Sequence, residues 1–153
     1  MHRVVRTVIS TLAVAGAALG ASVVLPSPAQ AASTIQIVRV QYDSPGVDNR
    51  TNASLNNEWI AIKNVGRTSA AIGGWKIHDK ANHTYVFGTT TIGAGTTIYV
   101  HTGKGTVSYF HRYQNSGAYI WNNDNDTAWL RTPTGGYADH CGWTRTGSGA
   151  IAC

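Results

Sequence analysis

A period of two runs through most of this chain and constrains it more than any other feature. In residues 58–64 (EWIAIKN), Trp59 and Ala61 fall on one side, and Ile60 and Ile62 on the other. That is the signature of a strand with one face in a core. Residues 34–42 (TIQIVRVQY) repeat it, with a phase slip at Ile37 and Val38 that predicts a bulge. Further strands are predicted over 70–78, 84–87, 96–101, 118–121, 127–131 and 137–143. Between them lie runs of Gly, Asn, Asp, Ser, Thr and Pro, the longest over 43–56. The glycines at 93–95 and 133–136 mark turns, and 103–106 (GKGT) reads as a hairpin turn. Helix formers are scarce, Gly occurs 17 times, and no segment carries a helical period. Many short strands at regular spacing predict an all-β fold, a β-sandwich.

The first thirty residues follow a different logic. Arg3 and Arg6 precede an apolar run from Thr7 to Leu25, which ends at Pro26 and Pro28. Ala29-Gln30-Ala31 then supplies a small-x-small triplet. A basic start, an apolar middle and such a triplet are the three parts of a secretory signal peptide. The alternative is a membrane anchor, since the run is almost long enough to span. Its Ala and Gly content and the triplet favour cleavage. The expected organisation is a signal peptide over 1–31 and one domain over 32–153, secreted, extracellular and free of the membrane. No Arg-Arg pair marks a twin-Arg signal.

Removing that segment takes away Arg3 and Arg6, so the +5 of the whole chain falls to about +3. The remaining ten Lys and Arg are scattered singly along the sequence, without the basic cluster expected of a nucleic-acid binder. The only cysteines are Cys141 and Cys153. In an exported protein an even pair reads as a disulfide. Its loop closure would contribute on the order of 3 kcal/mol and hold a terminus that otherwise frays.

Several segments together resemble the lamin-tail domain family. They are Glu58-Trp59-Ile60-Ala61-Ile62-Lys63-Asn64, Gly74-Trp75-Lys76-Ile77-His78-Asp79, Tyr85-Val86-Phe87, Ile92-Gly93-Ala94-Gly95, and the run WNNDNDTAWL over 121–130. No one of them is specific, but their order and spacing are, and they cover nearly the whole of 32–153. The opening Tyr42-Asp43-Ser44-Pro45-Gly46, followed by Asp48-Asn49-Arg50, looks like the secreted bacterial branch of that family. The resemblance implies an immunoglobulin-like β-sandwich. It implies little about a ligand, because such folds host many functions.

Individual residues have physical readings of their own. Trp75, after Gly73 and Gly74, is the expected core tryptophan between the sheets. Glu58 opens a strand and is expected to bond backbone amides of a neighbouring loop or to pair with an Arg. Asp79 and Asp126 stand where strands give way to turns, and there carboxylates cap free amides.

Catalytic patterns fail one by one. His78, His83, His101, His111 and His140 form neither H-x-H nor H-E-x-x-H, so zinc has no local support. Gly147-Ser148-Gly149 lacks the G-x-S-x-G elbow. Asn122, Asp124 and Asp126 alternate oxygen ligands, but with Asn122 as position one, position six is Thr127 and position twelve is Pro133. The glycine and bidentate glutamate of a calcium hand are therefore missing. No metal, no cofactor and no catalytic residue are expected, and the chain reads as not an enzyme.

The aromatic segment offers a binding hypothesis instead. Tyr109, Phe110, Tyr113, Tyr119 and Trp121 fall close together, with Arg112 among them. One strand face cannot bury them all, and exposed rings stack on sugars or bases. The expected function is a secreted non-catalytic module binding a cell-surface partner: a cell-wall polysaccharide or a surface protein. The alternatives are an extracellular hydrolase with an unrecognised site and a weak nucleic-acid or polyanion binder. Nucleic acid is disfavoured by the scattered charge.

Overall fold

A computed structural model of the chain describes residues 33–145 and 147–153. The signal segment over 1–31 lies outside the described residues. Eleven strands and one short helix follow in order: β1 (Ile35–Gln41), α1 (Asn52–Asn56), β2 (Trp59–Asn64), β3 (Ala70–Ala71), β4 (Lys76–His78), β5 (Thr84–Val86), β6 (Thr91–Ile92), β7 (Thr97–His101), β8 (His111–Tyr113), β9 (Asn125–Arg131), β10 (Tyr137–Thr144) and β11 (Ala150–Ala152). They form a five-stranded sheet in the order β11-β1-β2-β7-β8 and a four-stranded sheet in the order β10-β9-β4-β5. The strands β3 and β6 add a small ribbon. All pairings are antiparallel except that of β7 with β8. This is an immunoglobulin-like β-sandwich, as the sequence predicts.

Alternation decides what lies between the sheets. Ile35, Ile37, Val40, Ile60, Ile62, Ile98 and Val100 face inward from the five-stranded sheet. Ile77, Ala128, Leu130, Cys141 and Trp143 meet them from the four-stranded sheet. The phase slip in β1 is real: its register against β2 shifts between Ile37 and Arg39, which returns Val40 to the core.

Four local expectations are corrected. Trp75 is only half-buried and packs against the edge of the core. Gly74, at φ +78°, turns the chain ahead of it and leaves the ring at a corner. The tryptophan inside is Trp121, at 2% exposure, set edge-on to Trp143 at 6.0 Å. Trp143 in turn stacks on Tyr42 at 5.3 Å. Residues 118–121 form no strand, because the backbone amides of Ile120 and Trp121 bond a side chain, Glu58, instead of a neighbouring strand. Residues 103–106 belong to no hairpin. They open the nine-residue crossover (102–110) that a parallel β7–β8 pair requires. Finally, the polar loop over 43–56 ends in α1, whose Thr51 cap accepts from Ser54 N.

Cys141 and Cys153 are joined, with Cα atoms 5.8 Å apart. The bridge ties the last strand of one sheet to β10 of the other, and Cys153 N also donates to Val38 O. Asp79 and Asp126 act as the caps expected of them. Asp79 accepts from His83 N at 2.7 Å, and Asp126 accepts from Asn122 N, Thr127 N and Lys80 N.

The two tryptophans separate the core assignments cleanly. Trp121→Ala should lower stability by about 3–5 kcal/mol through the cavity it leaves, and Trp75→Ala should cost markedly less. Urea denaturation of both variants checks this, and the opposite ranking would contradict the core described above.

Candidate functional site

The outer face of the five-stranded sheet carries a cluster of rings. Period two sends Trp59 and Lys63 outward from β2, Tyr99 and His101 from β7, and His111 and Tyr113 from β8. Register then brings them together. Trp59 pairs with His101 and His101 with Tyr113, while Ala61 pairs with Tyr99 and Tyr99 with His111. Trp59 meets Tyr99 edge-on at 5.2 Å, Tyr99 stacks on His111 at 5.6 Å, and His101 stacks on Tyr113 at 5.1 Å. Each of the five rings is half-buried by its neighbours and half open. Edge-on and stacked contacts of this kind fix ring orientation.

Two imidazoles sit at the centre of this platform. His101 Nδ1 lies 2.7 Å from the Asn56 carbonyl, and His101 Nε2 lies 2.8 Å from His111 Nδ1. A carbonyl only accepts, so the hydrogen-bond network assigns the His101 proton to Nδ1. Its Nε2 then accepts from His111 Nδ1–H. Burial, together with the facing His111, lowers the His101 pKa below its ordinary value, against the pull of the Asn56 carbonyl. His101 therefore stays neutral and serves as an oriented acceptor. Among the described residues no hydroxyl or thiol bonds the ring nitrogens of the pair; Ser108 Oγ accepts from the His111 backbone N at 3.2 Å. Among the described residues no group of three or more His, Cys, Asp or Glu converges to hold a metal ion.

The six residues singled out in the sequence scatter in the fold. Tyr113 joins the platform, with its ring against Gly105 of the crossover, where a Cβ would not fit. Tyr109 and Phe110, 59% and 49% exposed, form an edge-on pair at the entry to β8. Tyr119 anchors the chain, its hydroxyl 2.6 Å from Ser54 Oγ. Arg112 is 8% exposed and turned inward, bonding the carbonyls of Ser108 and His111. Trp121 is core and presents no surface to a ligand. The platform residues Trp59, Tyr99, His101 and His111 were not singled out. For Trp59, Tyr99 and His101 the signal was present in the alternation of EWIAIKN and TTIYVH, which puts the isoleucines and valine on one face and these rings on the other; His111 lies in a third segment, FHRY over 110–113.

Sequence comparison agrees with this architecture. A family model described as Lamin Tail Domain matches residues 28–145.

The chain belongs to the lamin tail domain family.

No curated protein matches it. The lamin tail domain is an immunoglobulin-like sandwich, which fits a module without catalysis. No described helix is long and apolar enough to cross a membrane. In this lamin tail domain one carboxyl organises the end of the sandwich beside the platform. Glu58 is fully buried, immediately before Trp59. Its Oε1 accepts from Thr102 Oγ1 at 2.5 Å, Ile120 N at 2.9 Å and Trp121 N at 3.3 Å. Of the two sequence alternatives, loop amides or an Arg, the amides hold. Oε2 is buried without a partner among the described residues. One satisfied oxygen does not offset burial, and burial raises the Glu58 pKa from 4.5 to about 7, with Thr102, Ile120 and Trp121 pulling the other way and Asp48 adding a little.

The raised value has a sign. Between pH 4.5 and 7 the folded lamin tail domain keeps a proton that the unfolded chain has released. Stability should therefore fall as pH rises through that window, by up to roughly 3 kcal/mol. Glu58→Gln keeps a carbonyl acceptor for the amides and removes the titration. Denaturation at pH 5 and pH 8 should show the fall in the wild type and a flatter profile in the variant. Equal slopes would contradict this role.

Proposed function

We propose that the protein is an exported, non-catalytic binding module of the bacterial branch of its family, and that its outer ring platform binds a neutral cell-wall polysaccharide by stacking. The observation that carries this reading is the position of the rings. Trp59, Tyr99 and Tyr113, with His101 and His111 between them, stand on the solvent side of a sheet whose other side already supplies the core. The core on the inner side is complete without these five rings, and their open faces remain available to a ligand. A sugar ring has an apolar face that such a surface matches, and its hydroxyls find donors and acceptors at the imidazoles and the Tyr hydroxyls.

The same geometry supports a non-catalytic reading. The His101–His111 pair ends on a backbone carbonyl, and no serine, threonine or cysteine side chain bonds its ring nitrogens among the described residues. The carboxyl next to Trp59, that of Glu58, is fully buried and bonded to Thr102 and the Trp121 amide. Export is supported by the N-terminal signal pattern and by the Cys141–Cys153 disulfide, a bond that persists in oxidising compartments.

The test is co-sedimentation with an insoluble neutral glucan across a salt series. Binding should be mildly salt-dependent, because stacking rather than charge supplies it. Trp59→Ala and Tyr99→Ala should each weaken it roughly tenfold, the scale of one lost stacking ring, with melting temperatures little changed. Hydrolysis of the glucan, abolished by His111→Ala, would contradict the reading and establish an enzyme.

A further inference from the structure

The opposite surface of the sandwich, the outer face of the four-stranded sheet, has a different chemistry. Two rows cross it by register. Val86, Lys76, Arg131 and Tyr137 form one, and Thr84, His78, Trp129 and His140 form the next. Tyr137 and Val86 are exposed, and so is His140.

Arg131 is braced rather than free. Its Nε donates to His78 Nε2 at 2.9 Å, and its Nη1 donates to Gly135 O at 3.0 Å. The guanidinium lies over the Tyr137 ring, 3.9 Å from the centroid. His78 is fixed in turn: its Nδ1 meets the Asp79 carbonyl at 3.0 Å, and its ring stacks on Trp129 at 5.2 Å. The carbonyl accepts from Nδ1–H, so the Nε2 lone pair accepts from Arg131 Nε. These contacts orient a guanidinium and leave its Nη2 edge unused among the described residues.

Among the described residues no carboxylate pairs with it. The chain has seven acidic side chains. Asp79 closes on His83, Asp124 pairs with Arg145, Asp126 caps three amides and Glu58 is buried at the other sheet. Asp43 and Asp48 belong to the loop before α1. Asp139, on the neighbouring strand β10, turns its Oδ2 to accept from Ile37 N at 2.7 Å, on β1. Lys76, beside Arg131 in register, has no carboxylate partner among the described residues either. A pre-oriented, planar fork next to a second cation is suited to an oxyanion.

Beside the fork lies a shallow depression of about 430 Å³ lined by Trp129, Tyr137, Ala138, Asp139 and His140. It has the span of a small-ligand cleft and two aromatic walls.

The geometry points to a second binding face: Arg131 and Lys76 hold the carboxylate of an acidic polysaccharide, and Trp129 and Tyr137 receive its sugar ring. This face is separate from the ring platform and does not rest on it. One anion site beside one ring-sized shelf matches a polymer with a single carboxylate on each charged sugar. A nucleic acid needs a longer track of cations along its phosphates, and the two full charges here are adjacent.

Affinity electrophoresis of the purified protein through gels containing polygalacturonate tests the assignment. Retardation should be clear at low salt and fall as salt rises. Arg131→Gln should weaken it at least tenfold, Lys76→Gln should weaken it severalfold, and Val47→Ala, in the exposed loop before α1, should leave it unchanged. Because Arg131 also bonds His78 and Gly135, melting curves must accompany the first variant. Lys76→Gln, which breaks no such bonds, keeps the test valid if Arg131→Gln unfolds. Three results would each overturn the proposal: no retardation of the wild type, equal retardation of wild type and Lys76→Gln, or tighter Arg131-dependent retention by gels containing duplex DNA.

Discussion

A strand that gives one face to a core must send every second side chain the other way. In β2 and β7 that geometric rule governs both the stability and the surface of this protein. Ile60, Ile62, Ile98 and Val100 are drawn inward, so Trp59, Lys63, Thr97, Tyr99 and His101 are carried outward with them. A one-residue slip would bury a lysine and expose four branched apolar side chains. The register is held by that cost, and the ring platform is held by the register. The core behind it sets which side chains meet, and their ring contacts then fix their orientation.

The parallel strand β8 completes the platform and is the costlier part of the design. A parallel pair cannot be closed by a tight turn, so the chain leaves β7, crosses in nine residues and re-enters beside Tyr99. Polar contacts hold the crossover in place. The carbonyl of Lys104 accepts from Asn52 and Asn56, and the ring of Tyr113 rests on Gly105. On the same end of the sandwich, Glu58 gathers Thr102 and the amides of 120–121. A buried carboxyl is an expensive way to pin a loop. Here it joins strand β2, the end of β7 and the segment leading to Trp121 through one oxygen, where an apolar side chain would leave three donors unpaired.

Much of this was legible in the sequence because strand alternation is local. The strands β1, β2, β7, β9 and β10, the bulge after Ile37 and the capping carboxylates Asp79 and Asp126 all follow from neighbours along the chain. What failed depends on distant partners. Residues 118–121 alternate like a strand, yet Glu58, more than sixty residues earlier, takes their amides. Trp75 has the glycine setting of a core tryptophan, but the turn at Gly74 leaves it at a corner while Trp121 fills the centre. A dense run of aromatics from Tyr109 to Trp121 suggested one binding patch. The fold instead divides it among a loop tip, the platform, an anchor and the core. The platform was spelled out in three separate segments, and only sheet register unites them.

The two outer faces thus differ in kind, one built of stacked rings and the other of a braced cation beside aromatic walls. The five tryptophans report on them independently: Trp59 on the platform, Trp129 on the opposite face, Trp121 and Trp143 in the core and Trp75 at its edge. The most direct test of the platform is a heteronuclear NMR titration with a neutral glucan oligosaccharide, followed at the indole Nε1–H signals. The account predicts a progressive shift of the Trp59 signal, with those of Trp121, Trp143 and Trp129 unmoved. A titration that leaves Trp59 in place while another indole shifts, or that moves none of the five, would contradict it.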